Sequence, residues 1–281
     1  IEELNNSSTD TENDLSLQVI SAISVKDTTK LNTLSENNKE QIDTLTQSAV
    51  KNAGSSQESA DLIAQVVANA SDDFANQIIG EVTKNSIDEN QALSAKVMKS
   101  IVETTPDKVE NLSDENKDKL ISQTIEAAKN QAEGTSSDEL DLSNTIAEIV
   151  INSDTGTAAK VLESLEEVSN DSDSKLSLSV VSNLTKQENY EEKMEILSVT
   201  SSVVDQSINT LIEKAVENAS SEEDLELVTD IVENSKGTIG DKIVNSANKN
   251  EESKKKITEV IVKVVEKNPE KAVQIIEKNK N

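Results

Sequence analysis

The chain has 281 residues, with 54 acids against 27 bases for a net charge of −27, and it contains no His, Cys or Trp. Every base is Lys, and so negative a surface excludes nucleic acid and anionic membrane as partners, because both demand clustered cations. The missing residue types remove the Ser-His-Asp and Cys-His nucleophile systems, His-based zinc sites, arginine clamps on phosphate and every disulfide, so we expect no enzyme.

Residues 1–10, IEELNNSSTD, are polar apart from Ile1 and Leu4 and read as a mobile N-terminal segment. Beyond them, Leu, Ile, Val and Phe make up 72 of the 281 residues, enough to bury a thin aliphatic core. An amphipathic nonapeptide first appears at Leu15–Ile23 (LSLQVISAI). It returns at Leu93–Ile101 (LSAKVMKSI), Leu176–Leu184 (LSLSVVSNL) and Lys256–Val264 (KITEVIVKV), with starts 78, 83 and 80 residues apart. Regular spacing of this size predicts an all-α helical repeat array of about fifteen short helices. The units are 11–92, 93–175 and 176–255, followed by a partial unit at 256–281.

Within the first unit, LSENNKEQIDTLTQSAVKNA (Leu34–Ala53) leads to the joint Ser55-Ser56, and Phe74 beside Ile78 and Ile79 reads as core. Ser86-Ile87-Asp88-Glu89 closes the unit with a predicted capping box. In the second, VETTPDKV (Val102–Val109) sets Pro106 just past an apolar helix, where a fixed φ and a missing N–H end one helix and suit the first turn of another. LSDENKDKLISQTIEAAKNQ (Leu112–Gln131) matches the earlier segment 78 residues on, and the joint Ser136-Ser137-Asp138-Glu139 reads as a second capping box. Asn170-Asp171-Ser172-Asp173-Ser174, and Ser137-Asp138-Glu139 with Asp141, alternate oxygen ligands in the manner of calcium loops. Both lack the central Gly and distal Glu of an EF-hand, so helix capping is the reading preferred to calcium.

In the third unit Tyr190 opens an amphipathic helix with Met194 and Leu197, and is expected half-buried with its hydroxyl in water. Ile208, Leu211, Ile212, Ala215 and Val216 form one buried helical stripe before the joint Ser220-Ser221. EVIVKVV near Val260 has strand propensity, but the longer periodicity predicts helix there too. Pro269 in VEKNPEK repeats the position of Pro106, and these are the only two prolines. From Lys249 onward nine Lys face six acids, a mildly basic end to an acidic chain. Seven N-x-S/T sequons, among them Asn69, Asn111 and Asn183, match the roughly six that chance supplies in so Asn- and Ser-rich a sequence.

Repeated apolar helix pairs with short polar joints resemble the α-solenoids of the HEAT and armadillo class, although the roughly 80-residue unit is about twice a HEAT repeat and would hold about five helices. The composition is also similar to that of long repetitive bacterial surface proteins. That likeness implies an extracellular or cell-surface setting, with the cytoplasm an alternative. Neither resemblance carries catalytic, cofactor-binding or metal residues onto this chain. Because the sequence opens at Ile1 and the repeat phase is cut at both ends, we expect a processed protein or an excised stretch with open ends. The expectation is a structural protein that stacks head to tail on itself or forms part of a longer surface protein, with an adaptor for a basic protein partner as the alternative. No stretch approaches transmembrane length.

Overall fold

A computed structural model describes residues 15–53, 56–85, 91–132, 141–168, 175–200, 202–219, 221–235, 243–244 and 251–278. Among them the protein is all-helical, with sixteen helices and no strand. The first five are α1 (Leu15–Lys26), α2 (Thr28–Asn37), α3 (Lys39–Asn52), α4 (Gln57–Asn69) and α5 (Asp72–Asn85). Then come α6 (Gln91–Thr104), α7 (Asp107–Glu110), α8 (Asp114–Ala132), α9 (Leu142–Asn152) and α10 (Thr155–Val168). The last six are α11 (Lys175–Lys186), α12 (Tyr190–Thr200), α13 (Ser202–Asn218), α14 (Glu222–Asn234), α15 (Glu251–Lys267) and α16 (Pro269–Lys278).

Local chemistry sets the boundaries. Ser56 and Asp27 accept N–H bonds from Ser59 and Lys30 at the starts of α4 and α2, and Asp141 accepts two at the start of α9. Ser221 and Asp224 form a reciprocal capping box on α14. Two of the serine joints, Ser56 and Ser221, therefore act as predicted. The boxes predicted at Ser86 and Ser136, the calcium loop at 170–174, most of the second acidic joint and the segment 1–10 lie outside the described residues. Pro269 is the first residue of α16, and Pro106 immediately precedes α7.

Helices contact one another in two rows. One row runs α1, α4, α6, α9, α11, α14, α15, each helix packed on the next, and the other runs α3, α5, α8, α10, α13 in the same manner. All four nonapeptides lie in the first row, as α1, α6, α11 and α15. Their interior members are apolar on two opposite sides, which is what a helix held between two neighbours requires. The core between the rows is aliphatic, with Ile79, Met98, Ile101, Leu120, Ile146 and Leu162 fully buried and Phe74 its one phenyl ring. EVIVKVV is helical, inside α15.

Tyr190 departs from expectation. It is buried, 5 % exposed, where the start of α12 packs among helices that include α9, α10, α11 and α13, and its hydroxyl donates to Glu191 Oε1 at 3.4 Å.

Candidate interaction seam

The side chains that could carry function follow the edge of the first row. Numbering each nonapeptide helix from its own first motif residue (Leu15, Leu93, Leu176, Lys256), positions 3, 6, 7 and 10 lie on one side and positions 1, 5 and 8 on the other, from a turn of 3.6 residues. The first set faces the next helix of the row and the second set the preceding one, as the polar contacts demonstrate. At position 7, Ser21 donates to Gln65 of α4, and Lys99 pairs with Glu148 of α9 at 2.7 Å. At position 8, Ser100 donates to Asp61 of α4 at 2.7 Å, Asn183 to Ser143 of α9 at 2.9 Å, and Lys263 pairs with Glu222 of α14 at 3.6 Å. Lys186 reaches Asp230 of α14 at 3.8 Å, and Lys267 lies 2.8 Å from Glu226 and 3.3 Å from Asp230. Every consecutive pair in the row thus shares a polar link. Pairs such as Glu222–Lys263 and Glu226–Lys267 advance together along both helices, so neighbours run parallel.

The intervening helices α4, α9 and α14 end alike, in QVVANA (Gln65–Ala70), EIVINS (Glu148–Ser153) and DIVENS (Asp230–Ser235). In each, the residue five before the C-cap makes the link to the preceding nonapeptide helix. The C-cap carbonyl is then claimed from the next nonapeptide helix's side by a lysine. Lys108 Nζ donates to Ala70 O at 2.7 Å, Lys193 to Ser153 O, and Lys271 to Ser235 O. These lysines stand a few residues past α6, α11 and α15, and they place a cation where a helix leaves carbonyls unpaired and its dipole is negative. Lys214 and Lys256 do the same for Glu166 O at 3.4 Å and Glu217 O at 2.7 Å, in the last turns of α10 and α13. Neither the six-residue endings nor the lysines were part of the sequence expectation. Aligning the segments between the nonapeptides would have exposed the endings.

Electrostatics along the seam follow burial. Burial pushes Lys99 down, but hydrogen bonds to and charges on Glu148 and Glu103 outweigh it and hold the ammonium above its ordinary range. Lys193 has only the Asp154 charge to oppose its burial, and its pKa falls. Asp154, at the start of α10, is pushed up by burial, but bonds from the Thr157 hydroxyl, the Thr157 N–H and the Gly156 N–H prevail and lower it. On the exposed edge, Glu226 is lowered and Lys267 raised by their mutual hydrogen bond.

A cleft of about 640 Å³ lies at the α11–α12 corner, walled by Lys186, Gln187, Glu188, Tyr190, Glu192 and Asn234 among others. Its groups are carboxylates, amides and an ammonium already drawn toward Asp230, so its chemistry is that of a solvated corner. Among the described residues no group of three or more Asp and Glu is placed to hold a metal ion, and no helix is long and apolar enough to cross a membrane. No protein-family model and no curated protein matches this chain.

Proposed function

We propose that the protein is a structural helical-repeat protein, an α-solenoid-like array that assembles head to tail or serves as a length of a longer surface protein. The observation that carries this reading is the seam. Its links join residues 36 to 49 positions apart again and again along the chain, for example Lys271 with Ser235, Asn183 with Ser143 and Lys99 with Glu148. A contact pattern in which each element touches chiefly its neighbours is what a quasi-one-dimensional stack produces. On this reading the roughly 80-residue sequence period holds two structural repeats of about forty residues each. Seam side chains are spent on neighbouring helices, which favours a spacer or scaffold over a catalyst. Acidity and composition favour an extracellular or cell-surface setting.

Electron microscopy of the protein at working salt tests the reading. Ordered fibres with an axial spacing set by one or more repeats are expected. Discrete curved monomers at every concentration would overturn self-assembly and favour an adaptor that grips a basic partner.

A further inference from the structure

The two faces of the row that lack a neighbour among the described helices differ from their internal equivalents. On the side facing the next helix, α1 buries Leu17, Ile20, Ser21 and Ser24, and α11 buries Leu178, Val181, Ser182 and Thr185. In α6, Ala95, Met98 and Val102 are buried as well. The same positions of α15 are Thr258, Ile261, Val262 and Val265, and there Val262 is 52 % and Val265 43 % exposed, with Thr258 exposed too. On the opposite side, Leu93 and Leu176 are 1 % and 3 % exposed, but the matching Leu15 of α1 is 42 % exposed. Ala22, the equivalent of Ser100 and Asn183, is also exposed, and Val19 is half-buried. Each face is therefore one that the internal nonapeptide helices bury against an intervening helix and that stands open here.

Resting on the head-to-tail reading above, we infer that copies of this chain join by seating the Leu15, Val19 and Ala22 stripe of α1 on the Thr258, Ile261, Val262 and Val265 stripe of α15 in the preceding copy. The chemistry at the link positions identifies a second copy as the occupant. Internal seams spend position 7 or 8 on a polar group: Ser21 and Lys99 facing forward, and Ser100, Asn183 and Lys263 facing back. The two open faces carry Val262 and Ala22 there instead, so both are apolar at the very level where internal seams are polar, and they match one another. Helices stacked in parallel would also bring exposed Glu266, near the end of α15, level with exposed Lys26 at the end of α1, an acid against a base. Such a contact is heterologous, and because its two halves lie at opposite ends of the row it propagates instead of closing.

The test is sedimentation velocity over a wide concentration range on the full chain and two double variants, Leu15→Asp with Ala22→Asp and Val262→Asp with Val265→Asp. Far-UV circular dichroism checks that each variant stays helical, as expected for exposed positions. Wild type should form a ladder of oligomers, and each variant alone should associate at least tenfold more weakly. An equimolar mixture of the two should give a discrete 1:1 dimer, because each retains the face the other lacks. If wild type associates but the variants polymerise equally well, these faces are wrong and the head-to-tail reading stands. A wild type that stays monomeric overturns both. As an independent check, Lys26→Glu should weaken association and Glu266→Lys on the same chain should restore it.

Discussion

With no arginine in the chain, lysine must supply every fixed cation, and where those lysines sit is the most informative residue-level feature. Lys108, Lys193 and Lys271 each hold the carbonyl that ends an intervening helix, so the cation completes a backbone that would otherwise need water. Substituting Lys108 by Met keeps the aliphatic stem and removes the donor. We expect a loss of about 1.5–3 kcal/mol, the usual range for a hydrogen bond that involves a charged group, read by urea denaturation. Asp154→Ala removes the cap of α10 and should cost about 1 kcal/mol at neutral pH. Because the folded pKa of Asp154 is lowered from 3.8, its contribution is present above that value and disappears as pH falls through the folded one. The variant and wild type should therefore converge in stability in acid. Lys193 works in the opposite sense. Its folded pKa lies below 10.5, so the burial cost of its charge is relieved as pH rises through the folded value.

At the scale of elements, neighbours decide how firmly each helix is held. Ile146 is fully buried in α9, which has α6 and α11 in its own row and α8 and α10 beside it. Ile146→Ala should cost about 2–5 kcal/mol through lost burial and the cavity left behind. By contrast α15 has a single described neighbour in its row, α14, and their edge is held by Lys263–Glu222, Lys267–Glu226 and Lys267–Asp230. Hydrogen exchange should accordingly be slowest in α6 and α9 and fastest in α15 and α16. With Glu226 lowered and Lys267 raised, that edge is intact between about pH 4.5 and 10.5, weakening below and above. Those limits should appear as faster exchange in α15 at either extreme.

The nonapeptide helices were legible because their apolar residues recur at helical spacing in four places, strongly enough that EVIVKVV could be assigned against its strand propensity. The intervening helices were not, since QVVANA, EIVINS and DIVENS share a pattern of side-chain classes with little identity and lie at intervals blurred by joints of unequal length. Tyr190 was misjudged for a related reason. Its flanking acids mark a solvent-facing side, but whether the ring itself is covered depends on α9, α10 and α13, which are remote in sequence.

For the whole molecule, net charge and local pairing respond to salt with opposite signs. A charge of −27 makes the folded chain repel itself, so added salt should raise the global melting temperature by screening that repulsion. The exposed ion pairs between α14 and α15 are screened by the same ions and lose what little they contribute. Calorimetry and hydrogen exchange over a salt series should show a rising Tm beside falling protection of α15. Agreement in sign between the two would mean that the seam's ion pairs do not govern the hold on that helix.

With one tyrosine and no tryptophan, the chain has a single side chain that fluoresces when excited beyond the absorption of Phe74, and Tyr190 is buried where α11 turns into α12. Its emission therefore reports on that corner alone, with nothing elsewhere in the chain to dilute it. Circular dichroism averages over all the helices. Melting curves from the two signals will superimpose only if the molecule comes apart as one cooperative body. A gap between them would measure, without any label or substitution, how far one part of the stack loosens independently of the rest.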